Sequence, residues 1–242
     1  MLSVFSCLVL AILTHSSIVD SKHAGSFQPP RIVNLEQVKI ANENPKQPSA
    51  EQHYSCYGGE LSNYPSIEEW LSWDALWDNN REQILSSNGG DTYIQHYVQE
   101  AILQAERESN VDARLILAIL MQESNGKASV DCVRSKCGIM HASKGSCFDK
   151  EKPRESILQM VRDGVVGRPR SGPSLATLLS GKPRMKNLAA GCPYAAARAY
   201  NSGSVKESLD DAGPNGQGSY VNDVANRLLG WNGRGKGYED CK

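Results

Sequence analysis

Asp112–Gly126 reads DARLILAILMQESNG, and this stretch decides the fold. Every residue from Leu115 to Met121 is apolar, so the helix it forms is apolar nearly all round and has to be buried among other helices. Ser124-Asn125-Gly126 then stops the helix at once. Glu123 therefore reaches the lip of the core, where loss of water raises a carboxyl's pKa and lets it hold a proton near neutrality. A general acid needs this, whereas the helix dipole disfavours an acid at a C-terminus.

The helices that enclose this run are legible on either side. Ser66-Ile67-Glu68-Glu69 has the form of a capping box, and Trp70, Trp73, Leu76 and Trp77 follow at helical spacing, which predicts a helix over 66–85. A tryptophan row at that spacing reads as core in preference to a sugar-stacking platform. Asp91 to Glu108 places Ile94, Tyr97, Val98, Ala101, Ile102 and Ala105 on one face and predicts a second helix. After the central run, residues 124–153 hold three cysteines and no long periodic segment, the pattern of a stapled loop region. Helices resume over 154–163, 174–179, 193–200 and 219–229, and strand signals are weak throughout. The predicted fold class is mainly α, with disulfide-stapled loops.

The 242 residues suit one domain of ordinary size with some tail left over. Val4 to Leu13 is a short apolar block, too short to span a bilayer, and residues 1–21 read as a secretory signal peptide. Residues 22–53, with Pro29, Pro30, Pro45 and Pro48, read as a flexible leader. The domain is expected over 54–242. Removal of the signal takes Cys7 with it and leaves Cys56, Cys132, Cys137, Cys147, Cys192 and Cys241, an even set that reads as three disulfides of unassigned pairing. A zinc site at Cys132 and Cys137 is the weaker reading, because no matching His or Cys pair follows. No metal and no cofactor is expected.

The formal net charge of −1 implies no general affinity for polyanions, and neither nucleic acid nor, after signal cleavage, a membrane is an expected partner. The charge is unevenly spread, with 14 acidic and 4 basic residues from Glu36 to Asp112 but 10 basic and 4 acidic from Lys144 to Lys186. The bland reading is a solvated face. The functional one is a set of basic loops that attracts an acidic polymer such as peptidoglycan.

Four fragments carry the chemistry: Glu123-Ser124 at a helix end, the Gly138-Ile139-Met140-His141 turn, Ala199-Tyr200-Asn201 with Gly203, and Tyr220-Val221 opening the last helix. Each alone is weak. Their order and separations resemble the transglycosylase SLT domain, the glycoside hydrolase family that includes goose-type lysozymes. Residues 157–164 and 220–231, with the cysteine-rich loop, are similar to its secreted fungal branch. The resemblance covers about Ser55 to Trp231.

It implies a lysozyme-like helical fold and a secreted, monomeric enzyme that cleaves peptidoglycan or chitin as a lytic transglycosylase or a muramidase. Glu123 would be the catalytic acid and Tyr200 would hydrogen-bond and orient its carboxyl. Asn201 and backbone groups of the Gly138 turn would hold the N-acetyl sugar, Met140 would line the cleft, Ser124 would support the glutamate, and Tyr220 would belong to the substrate site. The chain departs from the family at His141, where Gln is usual. A histidine retains a hydrogen-bonding nitrogen and adds a group that titrates near 6.5 when unperturbed. That departure favours the alternative of a lysozyme-like glycan-binding protein or secreted effector without turnover. No second carboxylate is fixed by spacing, Asp131 and Asp149 reading as ordinary loop acids.

Overall fold

The computed structural model describes residues 53–181, 191–206 and 208–241. The expected signal peptide and all of the leader before His53 lie outside the described residues. Among those described, the helices are α1 (Trp73–Ser87), α2 (Thr92–Ser109), α3 (Ala113–Ser124), α4 (Pro153–Val165), α5 (Leu175–Leu179), α6 (Pro193–Ser202) and α7 (Tyr220–Leu228). The chain is mainly helical, and its described strands are β1 (Lys136–Cys137) and β2 (Ala142–Ser143), paired antiparallel with Lys136 opposite Ser143 and Cys137 opposite Ala142.

The central run behaves as its composition requires. Ala113 to Met121 are all buried, and α1, α2 and α7 pack around α3. Asp112 starts the helix by accepting the Arg114 N–H at 2.8 Å, and it holds the buried Arg114 guanidinium at 2.7 Å, so this buried cation is paired. Asn125 ends the helix in the left-handed conformation, with its N–H donated to Met121. Gly126 follows at φ 74°, where a Cβ would fall 2.5 Å from Ile84 Cγ1, so only glycine lets the chain turn this close to α1.

One predicted boundary is wrong. The helix expected over 66–85 begins at Trp73, because the Ser66–Glu69 box closes only a 3₁₀ turn, Ile67–Glu69. Glu69 does accept the Ser66 N–H at 2.7 Å, but Trp70 is extended and Leu71 donates to the Leu228 carbonyl of α7 at 3.0 Å. That tertiary bond interrupts the helix, and Ser72 caps its true start by accepting from the Ala75 N–H. The tryptophans are core: Trp70 and Trp77 are buried, and Trp73 stacks on Trp77.

α7 is amphipathic in an unusual sense, since its polar residues are buried too. Asn222 and Asn226 accept the Tyr57 and Ser55 N–H groups, and Tyr54 donates to Asp223. On the other side Gln122 of α3 donates to Asp223 at 3.1 Å and accepts from Arg227 at 2.8 Å. The residue before Glu123 is thus bolted to α7. Burial lowers the Arg227 pKa to about 10.

Two disulfides are present, Cys56–Cys241 and Cys132–Cys137. Cys147 is exposed with its Sγ 3.1 Å from Cys132 Sγ, and Cys192 is buried at the head of α6, outside both bonds. Two of the three expected bonds are therefore formed among the described residues. No helix of the described residues is long and apolar enough to cross a membrane.

Candidate active site

α3 delivers Glu123 to the edge of an open cleft of about 620 Å³, within the range of ligand pockets. The Glu123 side chain is only 10 % exposed. Tyr220, the first residue of α7, donates to Glu123 Oε1 at 2.6 Å, and His141 Nδ1 lies 3.2 Å from Oε2. Each carboxylate oxygen therefore has its own partner from a different element.

His141 owes its place to a tight turn. Its N–H donates to the Gly138 carbonyl at 2.8 Å, and Gly138 stands at φ 74° with a notional Cβ only 2.6 Å from the Ser146 carbonyl oxygen. Glycine is required there. His141 itself holds a positive φ of 43°, which aims the ring back at α3. The β1–β2 ladder brackets the turn from both sides.

Tyr200 does not orient Glu123 through a hydrogen bond as expected. Its hydroxyl donates to the Met140 carbonyl at 2.8 Å, so it clamps the turn that carries His141. Gly164 of α4 makes this possible, since a Cβ there would meet Met140 Sδ and Tyr200 Oη, both at 2.8 Å. Met140 is fully buried and does not line the cleft. The carbonyls of Gly138 and Met140 each accept one internal hydrogen bond, from the His141 N–H and the Tyr200 hydroxyl. Ser124 donates back to Leu120 of its own helix and makes no bond to Glu123. Tyr220 is 2 % exposed, lies outside the cleft lining, and gives its hydroxyl to Glu123.

Asn201 does line the cleft, and its Oδ1 accepts the Gln217 N–H at 2.8 Å. Burial raises the pKa of both Tyr200 and Tyr220 well above 10, with the Glu123 charge adding to it. Both phenols are consequently proton donors at any ordinary pH.

Four residues at the cleft were not foreseen. Arg134 and Lys136 form one wall of the cleft, Lys136 reaching 3.5 Å from the Asn201 carbonyl. Fully buried Arg198 donates to the Gln217 carbonyl at 2.7 Å and lies 6.0 Å over the Tyr220 ring, backing the residue that touches Glu123. Asp163 also borders the cleft, and it accepts from the Ser146 N–H, Gln159 and Arg168, so both of its oxygens have partners. No hydrophobic periodicity announces these residues. The Cys132, Cys137 and Cys147 sulfurs lie within 4.8 Å of one another, yet with two of them joined the set offers a metal only one thiol. No protein-family model, curated protein or solved structure matches this chain.

Proposed function

We propose that the chain is a secreted, lysozyme-like glycosidase that cleaves β-1,4 bonds in N-acetylhexosamine polymers, with Glu123 as its acid and base. The observation that carries this reading is one poorly hydrated carboxyl at the edge of an open cleft, held by Tyr220 on one oxygen and His141 on the other. An acid fixed in this way at a cleft edge is positioned to protonate a glycosidic oxygen.

Most glycosidases place two carboxylates about 5 to 9.5 Å apart. Here the other acid bordering the cleft, Asp163, has its oxygens engaged, and Asp131 and Asp149 are exposed loop residues. A 2-acetamido sugar supplies its own nucleophile, the acetamido carbonyl, so one protein carboxylate suffices. Glu123 first gives its proton to the leaving oxygen. It then acts as base, taking a proton either from the sugar's 6-hydroxyl, which closes a 1,6-anhydro ring, or from water. Asn201 offers an NH₂ to the acetamido group, and the cationic wall of Arg134 and Lys136 favours peptidoglycan, which bears carboxylates, over neutral chitin.

The test is Glu123→Gln with peptidoglycan and chitin as substrates. Loss of about 10²- to 10⁴-fold in cleavage is expected, and full activity in a folded variant would remove the role. Mass spectrometry separates the two chemistries, because an anhydro end is one water lighter than a reducing end. A glycan-binding protein without turnover is the second reading, favoured by His141 standing directly against the catalytic group. Saturable binding with no product over a pH series would decide for it.

A further inference from the structure

The cysteine-rich arch beside the cleft holds a disulfide with a thiol poised against it. Cys132 is bonded to Cys137, while the Cys147 Sγ stands 3.1 Å from Cys132 Sγ, and all three sulfurs lie within 4.8 Å of one another. Cys132 and Cys147 are exposed, so solvent and small reactants reach both. A thiolate next to a disulfide sulfur is the reactant arrangement for thiol–disulfide exchange.

A second observation concerns the backbone. Arg134 and Ser135, inside the loop that the Cys132–Cys137 bond closes, are both held at positive φ, 50° and 65°. Neither is glycine, so the short ring keeps two consecutive residues in a region that L side chains disfavour. Moving the bond from Cys137 to Cys147 widens the ring from a sequence separation of 5 to one of 15 and lets those two residues relax.

We propose that Cys132, Cys137 and Cys147 form an internal thiol–disulfide exchange site in which Cys132 is the shared sulfur. The Cys147 thiolate attacks Cys132 Sγ, the Cys132–Cys147 bond forms, the Cys132–Cys137 bond breaks, and Cys137 leaves as a thiolate that takes up the proton Cys147 gave away. One disulfide and one thiol stand on each side, so no oxidant or reductant is consumed. The exchange reshapes the cleft: Val133, Arg134 and Lys136 line it, and Cys137 is paired with Ala142 in the ladder that brackets the His141 turn. The proposal does not depend on the polymer that the cleft takes.

The experiment is peptide mapping of the purified full-length mature protein. Samples held at about pH 8 are quenched in acid, unfolded, alkylated with N-ethylmaleimide and digested. Label is expected on Cys147 in part of the population and on Cys137 in the rest, with Cys132 disulfide-bonded in both. Label on Cys147 alone at every time point overturns the proposal. Cys137→Ala supplies a second arm: air oxidation is expected to give a Cys132–Cys147 bond, and recovery of both as thiols from the folded variant overturns it.

Discussion

Tyr220 donates its hydroxyl to Glu123 Oε1 at 2.6 Å across 97 residues of sequence, joining the start of α7 to the end of α3. Tyr200, by contrast, gives its hydroxyl to the Met140 carbonyl and acts on the glutamate only through the turn that holds His141. The two phenols thus divide the work of positioning. Tyr220→Phe removes the hydroxyl that meets Glu123 and leaves a poorly exposed carboxyl oxygen short of a partner, at about 1 to 3 kcal/mol, and is expected to lower both the thermal midpoint and the cleavage rate. Tyr200→Phe leaves a buried carbonyl unsatisfied, at about 1 to 3 kcal/mol, and is expected to lower activity only as far as the turn loosens. Denaturation curves and initial rates for the two variants separate these effects.

The same two tyrosines set an alkaline limit. Burial first, and the Glu123 charge second, hold both pKa values well above the ordinary value near 10. Above about pH 10 the unfolded chain therefore loses protons that the folded chain keeps. Stability is fully present below that pH and falls as pH rises, by about 1.4 kcal/mol per pH unit for each such tyrosine. Tyr54 and Tyr64 are raised in the same direction, by burial before the charge or hydrogen bond of a neighbouring aspartate. Urea midpoints are expected to drop between pH 10 and 12, while phenolate absorbance of the native protein shows fewer tyrosines titrating than the sequence contains.

The reach of sequence in this molecule follows from which signals are local. The apolar run of α3, its Asn125 and Gly126 stop and the paired faces of α2 follow from periodicity, and those helices lie within a residue or so of their expected bounds. The start of α1 was misplaced because the bond from Leu71 to Leu228 is tertiary and leaves no mark at Ser66. The contacts of Tyr200 and Tyr220, which differ from those expected, have a similar origin. Both tyrosines sit in recognisable motifs, but which phenol reaches the carboxylate depends on how α6 and α7 pack, and Gly164, the residue that lets Tyr200 approach Met140, looks like any helical glycine.

The Cys56–Cys241 bond ties the segment before α1 to the last 3₁₀ turn, Tyr238–Cys241, across a sequence separation of 185. Closing so long a loop restricts the unfolded chain, and a bond of this kind is typically worth about 2 to 4 kcal/mol. The double variant Cys56→Ala/Cys241→Ala is expected to lose roughly 4 to 16 °C in its thermal midpoint, at about 2 to 4 °C per kcal/mol for a chain of this size. Its cleft residues are far from either cysteine in sequence, and the N-terminal segment keeps its hydrogen bonds to Asn222 and Asn226. Activity at 25 °C is therefore expected to fall less than stability does. Calorimetry paired with a rate measurement distinguishes this from a loss of the cleft itself.

Gly164→Ala tests the clamp without removing any polar group of the site. The added Cβ falls 2.8 Å from Met140 Cβ and 2.8 Å from Tyr200 Oη, and both neighbours belong to packed elements that cannot simply swing away. Met140 is fully buried, so the strain passes into the turn and then to His141, which directly contacts the carboxyl. Overpacking of this kind costs about 1 to 3 kcal/mol. Alanine is intrinsically the better helix former by about 1 kcal/mol, which opposes the loss and makes the sign informative. The expected result is a lower midpoint together with a cleavage rate that falls further than in Tyr200→Phe, because the methyl displaces the turn where the phenylalanine only releases it. A variant more stable than the parent, with unchanged rate, would show that the turn and α4 move apart freely and that Tyr200 does not hold His141 in place.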